Sequence, residues 1–349
     1  MCDKDYTQLH FFYHKLCPEC AARNYAERSR VHDLRGYTVL ITGGRVKIGY
    51  AAVLAFLRAG ADVLLTTRFP ALALEQLQQE KDHEAWKERL QLYGLDLRNL
   101  KAVQEFTDYC KQHLNQLDIL VNNAAQTIKY PFSYYEPLLR KEQQLLLNKP
   151  QNLFPNHTAL GVEQAYLLPG TSIPEVALNH FGQPVDYRDK NSWNSVLDEI
   201  GLEELLEVNL INHISPYRLI SELKPLMLRS TNPERFIINV TSSEGQFSYA
   251  NKTLHHPHTN MTKAALNMLT RTSAQELVKD NIYMTAVDVG WVSTGAVESK
   301  REQQFEKLRI PPLDPLDGAM RILHPIGEVR EGNKQLFGVL LKDYKVVSW

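Results

Sequence analysis

Short apolar runs rich in β-branched residues recur along the chain and alternate with segments whose apolar residues fall at helical spacing. Tyr37–Ile41, Asp62–Thr67, Leu92–Leu97, Leu117–Val121, Phe236–Val240, Tyr283–Val289 and Gly338–Leu341 are such runs. Each reads as a strand buried on both faces. The stretches between them, about 50–58, 71–89, 103–114, 205–223 and the segment around Lys263, carry the helical pattern. Strands alternating with helices at βαβ distance predict a doubly wound α/β domain with a mainly parallel sheet of about seven strands.

Two stretches depart from this rhythm. Residues 1–35 precede the first strand and are expected to form an N-terminal arm, with the α/β domain running from 36 to 349. Residues 127–200 form a large insertion after the fourth strand, rich in aromatic residues and proline: Tyr130, Phe132, Tyr134, Tyr135, Pro155, Tyr166, Pro169, Pro184, Tyr187 and Trp193. Insertions at the carboxyl edge of a parallel sheet lie over the ligand crevice. A lid or wall of a substrate pocket and an oligomer contact both fit this insertion.

Composition narrows the class. Over 349 residues, 39 Lys and Arg against 40 Asp and Glu leave a net charge of −1, which offers neither nucleic acid nor a lipid surface an electrostatic partner. No apolar run approaches the roughly 18 residues of a membrane span. The first residues show no secretory pattern, so the cytoplasm is the expected compartment. Four cysteines do not make a disulfide scaffold. Two of them stand as Cys17-Pro18-Glu19-Cys20, a spacing that places two thiolates on one zinc. His14 is the third ligand in this reading, with Cys2, His10 and His32 as further candidates by proximity. The competing expectation is a helical arm packed on the core or on a second subunit.

The stretch Thr42-Gly43-Gly44-Arg45-Val46-Lys47-Ile48-Gly49 joins the first strand to the first helix of the domain. A strand, a Gly-rich turn and a helix in that order make an anion site from backbone N–H groups and the helix dipole. This turn resembles the Thr-Gly-x-x-x-Gly-x-Gly turn of the short-chain dehydrogenase/reductase family, with Lys47 in place of the middle glycine. The fourth strand ends Asn122-Asn123-Ala124-Ala125, similar to that family's Asn-Asn-Ala-Gly. The resemblance spans about residues 36–300. It implies a nicotinamide dinucleotide held by Thr42, Gly43, Arg45, Lys47, Ile48 and Gly49 in the turn. Asp96 and Leu97 would lie beside the adenine, Asn123 and Ala124 under the cofactor, and Gly290, Val292 and Thr294 beside the nicotinamide amide.

The same resemblance implies a catalytic set. Ser242 matches the serine, Asn209 the asparagine of the proton relay, and Lys263 the lysine that lowers the tyrosine pKa and holds the ribose. The position four residues before Lys263 is Thr259, where the family has tyrosine. A threonine hydroxyl is far too weak an acid to replace a phenol. His258, His256 or His255, a tyrosine of the insertion, or no proton donor at all remain as readings. At the end of the second strand, Thr67-Arg68 stands where an acidic residue would select NAD. A guanidinium suits a phosphate, so NADP(H) is expected rather than NAD(H). The leading expectation is an NADP(H)-dependent oxidoreductase acting on a carbonyl or alcohol of a small molecule, assembled as a homo-oligomer. The alternative is a catalytically inactive dinucleotide-binding regulatory or scaffold protein.

Overall fold

The computed structural model describes residues 2, 4–147, 178, 179, 181–250 and 252–349. Pro155, Tyr166 and Pro169 of the insertion lie outside these residues. Along the chain the elements are α1 (Pro18–Arg28), β1 (Thr38–Thr42), α2 (Lys47–Arg58), β2 (Asp62–Thr67), α3 (Pro70–Leu77), α4 (His83–Trp86), β3 (Leu90–Gly94), α5 (Leu100–His113), β4 (Ile119–Asn122) and α6 (Phe132–Leu147). Then follow α7 (Leu202–Asn209), α8 (Ser215–Leu228), β5 (Arg235–Thr241), α9 (Pro257–Leu277), β6 (Ile282–Asp288), α10 (Glu298–Glu306), α11 (Pro315–Arg330), β7 (Leu340–Lys342) and β8 (Lys345–Val347).

One sheet holds all of these strands, in the order β3-β2-β1-β4-β5-β6-β7-β8. Its strands run parallel except for β8, which pairs antiparallel with β7, so the sheet has eight strands rather than about seven. Beyond the last strand expected from the sequence, Asp343 and Tyr344, both at positive φ, turn the chain back as a hairpin that adds β8. The expected helix over 71–89 is also broken, into α3, the single turn α4 and a 3₁₀ turn.

Alternate residues of each central strand enter opposite cores. Val39 and Ile41 of β1 pack with α2 and α11 residues on one face, while Leu40 packs with α5, α8 and α9 residues on the other. Successive strands leave β1 in opposite directions, toward β2 and toward β4, which opens a crevice at their carboxyl ends.

The arm docks on this frame through α1, which lies on α11. Tyr13, Leu16 and Ala21 share an apolar cluster with Val292 and Leu313, against which Ile48 also packs. The insertion is anchored by Glu142 of α6. Its carboxylate accepts from Ala71 N at 2.7 Å and Leu72 N at 2.8 Å, satisfying free donors in the first turn of α3. Burial pushes this carboxyl up from 4.5 to about 7. A folded-state pKa above the unfolded one gives stability that is complete below about 4.5 and lost as the pH rises through about 7. The loss is on the order of 3 kcal/mol. Urea midpoints measured across that window are expected to fall as pH rises, and Glu142→Gln is expected to flatten the profile.

Candidate dinucleotide crevice and active site

The β1–α2 turn is built by contacts that leave no room for side chains. Gly43 sits at φ +71°, and a Cβ there would lie 2.9 Å from Ala124 Cα; a Cβ at Gly49 would fall 2.2 Å from the Gly43 carbonyl oxygen. Thr42 Oγ1 accepts from the N–H groups of Asn123 (3.1 Å) and Ala124 (3.0 Å). The Asn123 amide donates to the carbonyls of Thr42 and Gly43. The two motifs thus bind each other, and the start of α2, at Lys47, Ile48 and Gly49, lines the crevice. Lys47 adopts φ +52°, the left-handed conformation of the glycine it replaces. A β-carbon there costs about 1–2 kcal/mol, a strain held at the mouth of the anion site.

The crevice has two communicating cavities. One, of about 360 Å³, is lined by Gly43, Arg45, Lys47, Ile48, Gly49, Thr67, Arg68, Asp96, Leu97, Asn123 and Ala124. The other, of about 930 Å³, shares Arg45, Lys47 and Arg68 and extends to Val292 and Thr294. Thr42 stands behind the first cavity through its bonds to Asn123 and Ala124. Gly290 is not among the lining residues; it turns the chain at φ +80° with its N–H on Asp288 Oδ1.

Positive charge is concentrated where the cavities meet. Arg68 stacks over Tyr135 at 4.6 Å, and its Nη1 is buried without a hydrogen-bond partner. Arg45 is buried over Phe69, and burial together with the neighbouring Arg68 brings it down to about 10. Burial and Arg301 bring Lys47 down to about 8. In spite of its burial, Arg68 itself is held above its ordinary value by Tyr135 and Asp96. Two adjacent guanidiniums, one with an orphan donor, form a cradle that an anion relieves. These residues fit a phosphate-bearing dinucleotide. Asp96 chelates Arg98 at 2.6 Å, and the cap of α5 belongs to Asn99.

The residues expected to form a catalytic set occupy the adjoining elements; His258, Thr259 and Lys263 are buried, and Ser242 and Asn209 are partly so. Asn209 lies where α7 passes into a π turn, Leu210–Ile214, and its amide donates to its own helix at Leu205 O. The longer connection is made by Asn212, which sequence reasoning passed over. Its Oδ1 accepts from Gln126 N at 2.8 Å, and its Nδ2 donates to Gln126 O and Thr262 Oγ1. A second asparagine three residues on was the available signal. Lys263 is buried, donates to Val240 O at 2.8 Å, and is brought down by burial to about 8. Ser242 follows β5 two residues after Val240, at the head of the Ser243–Gly245 turn. Thr259 is buried with an unpartnered hydroxyl. His258 Nε2 contacts Thr127 O at 2.9 Å and lies 3.9 Å from Glu204.

The insertion covers the start of α9. His256, at φ +41°, contacts Trp193 O through Nδ1 and stacks on the Trp193 ring at 4.6 Å. Trp193 presses on Gly295, where a Cβ would sit 2.9 Å from the indole. Ser242, Thr259, Lys263, His258 and Asn209 are absent from the walls of the two cavities, whereas Tyr130, Tyr134 and Tyr135 line the larger one. Tyr130 and Tyr134 stack at 3.8 Å, and burial pushes both phenols well up.

At the arm, the sulfurs of Cys2, Cys17 and Cys20 lie within 4.8 Å of one another. Cys2 takes the place expected for His14, which is not part of this group; the His14 carbonyl accepts from Tyr6. No helix among the described residues is long and apolar enough to cross a membrane.

Residues 37–140 match the family model for short chain dehydrogenase, and residues 190–311 match the model for Enoyl-(Acyl carrier protein) reductase. An uncharacterized protein of Acanthamoeba polyphaga mimivirus is 32% identical over 339 residues, 93% of this chain and 70% of that protein. A WW domain-containing oxidoreductase of Drosophila melanogaster is 34% identical over 96 residues, only 27% of this chain and 23% of that protein. The Pseudomonas aeruginosa RhlG/NADP active-site complex has a similar fold (TM-score 0.56, 20% identity, covering 83% of this chain and 90% of that one). So does the NADPH-bound carbonyl reductase from chicken fatty liver (TM-score 0.57, 19% identity, covering 90% and 100%). On its two family-model matches, its two interlocked motifs and its parallel sheet, the chain belongs to the short-chain dehydrogenase/reductase family.

Proposed function

We propose that this protein binds NADP(H) across the crevice and exchanges hydride with a carbonyl or alcohol of a small molecule. The observation that carries the reading is Arg68 beside Arg45: a buried, unpartnered guanidinium donor next to a second cation, at the end of β2. Such a pair is stabilised by the extra phosphate of NADP(H) and gains nothing from the free ribose hydroxyls of NAD(H). When bound, the dinucleotide supplies the hydride; the chain supplies orientation and the proton. The proton falls to a phenol of the cavity wall, Tyr135 beneath the Arg68 guanidinium, since burial makes Tyr130 and Tyr134 poor acids. His258 is less suited, because its neutral form commits the Nε2 hydrogen to the Thr127 carbonyl. A small-molecule substrate, a homo-oligomeric assembly and a cytoplasmic location belong to the same proposal.

A second reading, dinucleotide binding without turnover, draws on the Trp193–His256 stack over α9 and the sealed Thr259 hydroxyl. Fluorescence titration with NADPH and NADH tests the binding step. NADPH is expected to bind at least about tenfold tighter, and equal or tighter NADH binding overturns the cofactor assignment. A carbonyl and alcohol panel, with Lys263→Ala as control, then separates the two readings. Tight NADPH binding with no turnover on any member favours the second.

A further inference from the structure

Three of the four cysteines meet at one point outside the crevice, Cys2 coming from 15 residues before the Cys17–Cys20 pair. Cys2 Sγ lies 3.3 Å from Cys17 Sγ and 3.4 Å from Cys20 Sγ. Cys17 is the N-cap of α1, with Pro18 as its first helical residue, so Cys17 and Cys20 flank the first turn and share its positive end. Cys2 closes the triangle from the other side of the arm. All three are free thiols. A disulfide would use two of the three sulfurs and leave the third against the bridge. Three sulfurs within 4.8 Å of one another, two of them touching the third, instead match one face of a tetrahedral thiolate site, where metal–sulfur bonds of about 2.3 Å hold the sulfurs slightly under 4 Å apart.

We propose that Cys2, Cys17 and Cys20 bind one zinc ion as three thiolates, with the fourth position open to solvent, and that the ion fastens the start of the chain to α1.

Binding exchanges three thiol protons for one Zn²⁺, with no oxidation or reduction. Because each ligand binds as a thiolate, affinity falls as the medium becomes more acidic. Lys4 approaches the cluster but is paired with Glu19 at 3.4 Å and supplies only a screened surface charge. The site sits where fastening matters. Cys20 packs on the cluster of Tyr13, Leu16 and Ala21 with Val292, and Val292 lines the larger cavity. The inference does not rest on the NADP(H) reading, since metal content is measured on the purified chain alone.

The test is metal analysis of the full chain after reconstitution with zinc under reductant, followed by cobalt substitution. About one zinc per chain is expected, together with an intense thiolate-to-cobalt absorption band. Cys2→Ser, which alters an exposed residue, and Cys17→Ser/Cys20→Ser are both expected to lose the band. Chelation is expected to lower the melting temperature by several degrees. Metal-free protein after reconstitution, a Cys17–Cys20 disulfide in its place, or zinc retained by the double variant overturns the site. An unchanged melting temperature on chelation overturns the fastening role.

Discussion

Arg68→Leu is expected to weaken NADPH binding by roughly 10- to 100-fold while leaving NADH within a few-fold. The guanidinium leans on Phe69 and Tyr135, and its Nη1 is buried with no protein partner, so the folded protein holds a donor that a bound phosphate can satisfy. A charge-assisted bond to a phosphate is worth about 1.5–3 kcal/mol, which sets the expected range. Stability moves differently. A leucine between two aromatic rings removes a buried charge and also a cation–π contact. The unliganded variant should therefore unfold within about 1 kcal/mol of the parent. Titration with both dinucleotides, read beside thermal unfolding, separates these effects. An equal loss of both would mean that Arg68 grips a part common to the two.

The second large effect concerns the arm. Asp317, fully buried in the first turn of α11, accepts from the Tyr13 hydroxyl and from Arg28 Nη1 at 3.1 Å. It also completes a reciprocal cap with Asp314, whose N–H it accepts at 2.9 Å while its own N–H donates back at 3.1 Å. Asp317→Ala removes the acceptor of a buried phenol, one of the two carboxylates on Arg28, and half of the cap. Breaking a buried pair from one side costs about 3–5 kcal/mol. The urea midpoint is expected to fall accordingly, and limited proteolysis should cleave the arm before the sheet unfolds. Asp317→Asn keeps an acceptor oxygen and is expected to recover part of the loss. A variant as stable as the parent would show that the arm docks through the Tyr13–Leu16 cluster alone.

Much of this architecture was legible because it is local. A β-branched run, a glycine turn and an apolar helix announce themselves within about 20 residues. The Thr42–Gly49 turn and the Asn122–Ala125 strand end are therefore readable before any contact is known. Even the strain at Lys47 was foreseeable, since a turn shaped for glycine keeps its backbone conformation when lysine stands there. Other features depend on partners far away in sequence. Asn209 was the expected relay residue, yet the π turn after it brings Asn212 to Gln126 and Thr262. The triple histidine stretch was chemically open, until Trp193 stacked on His256 and the Thr127 carbonyl met His258. His14 stood nearer to Cys17 in sequence than Cys2 did, but the fold of the arm joined the cysteines.

By itself the sequence determined the alternation of strands and helices, the anion-binding turn, the basic end of β2 and the loss of a phenol at position 259. Each of these is set by residue type and spacing along a few turns of chain. Only the tertiary structure decided that Arg45 and Arg68 converge on one cavity, that the insertion's tyrosines wall the crevice while the lysine and threonine of α9 are sealed from it, and that a hairpin adds an eighth strand. Those outcomes depend on which distant side chains fill the same space, and close packing resolves that only once the whole chain has folded.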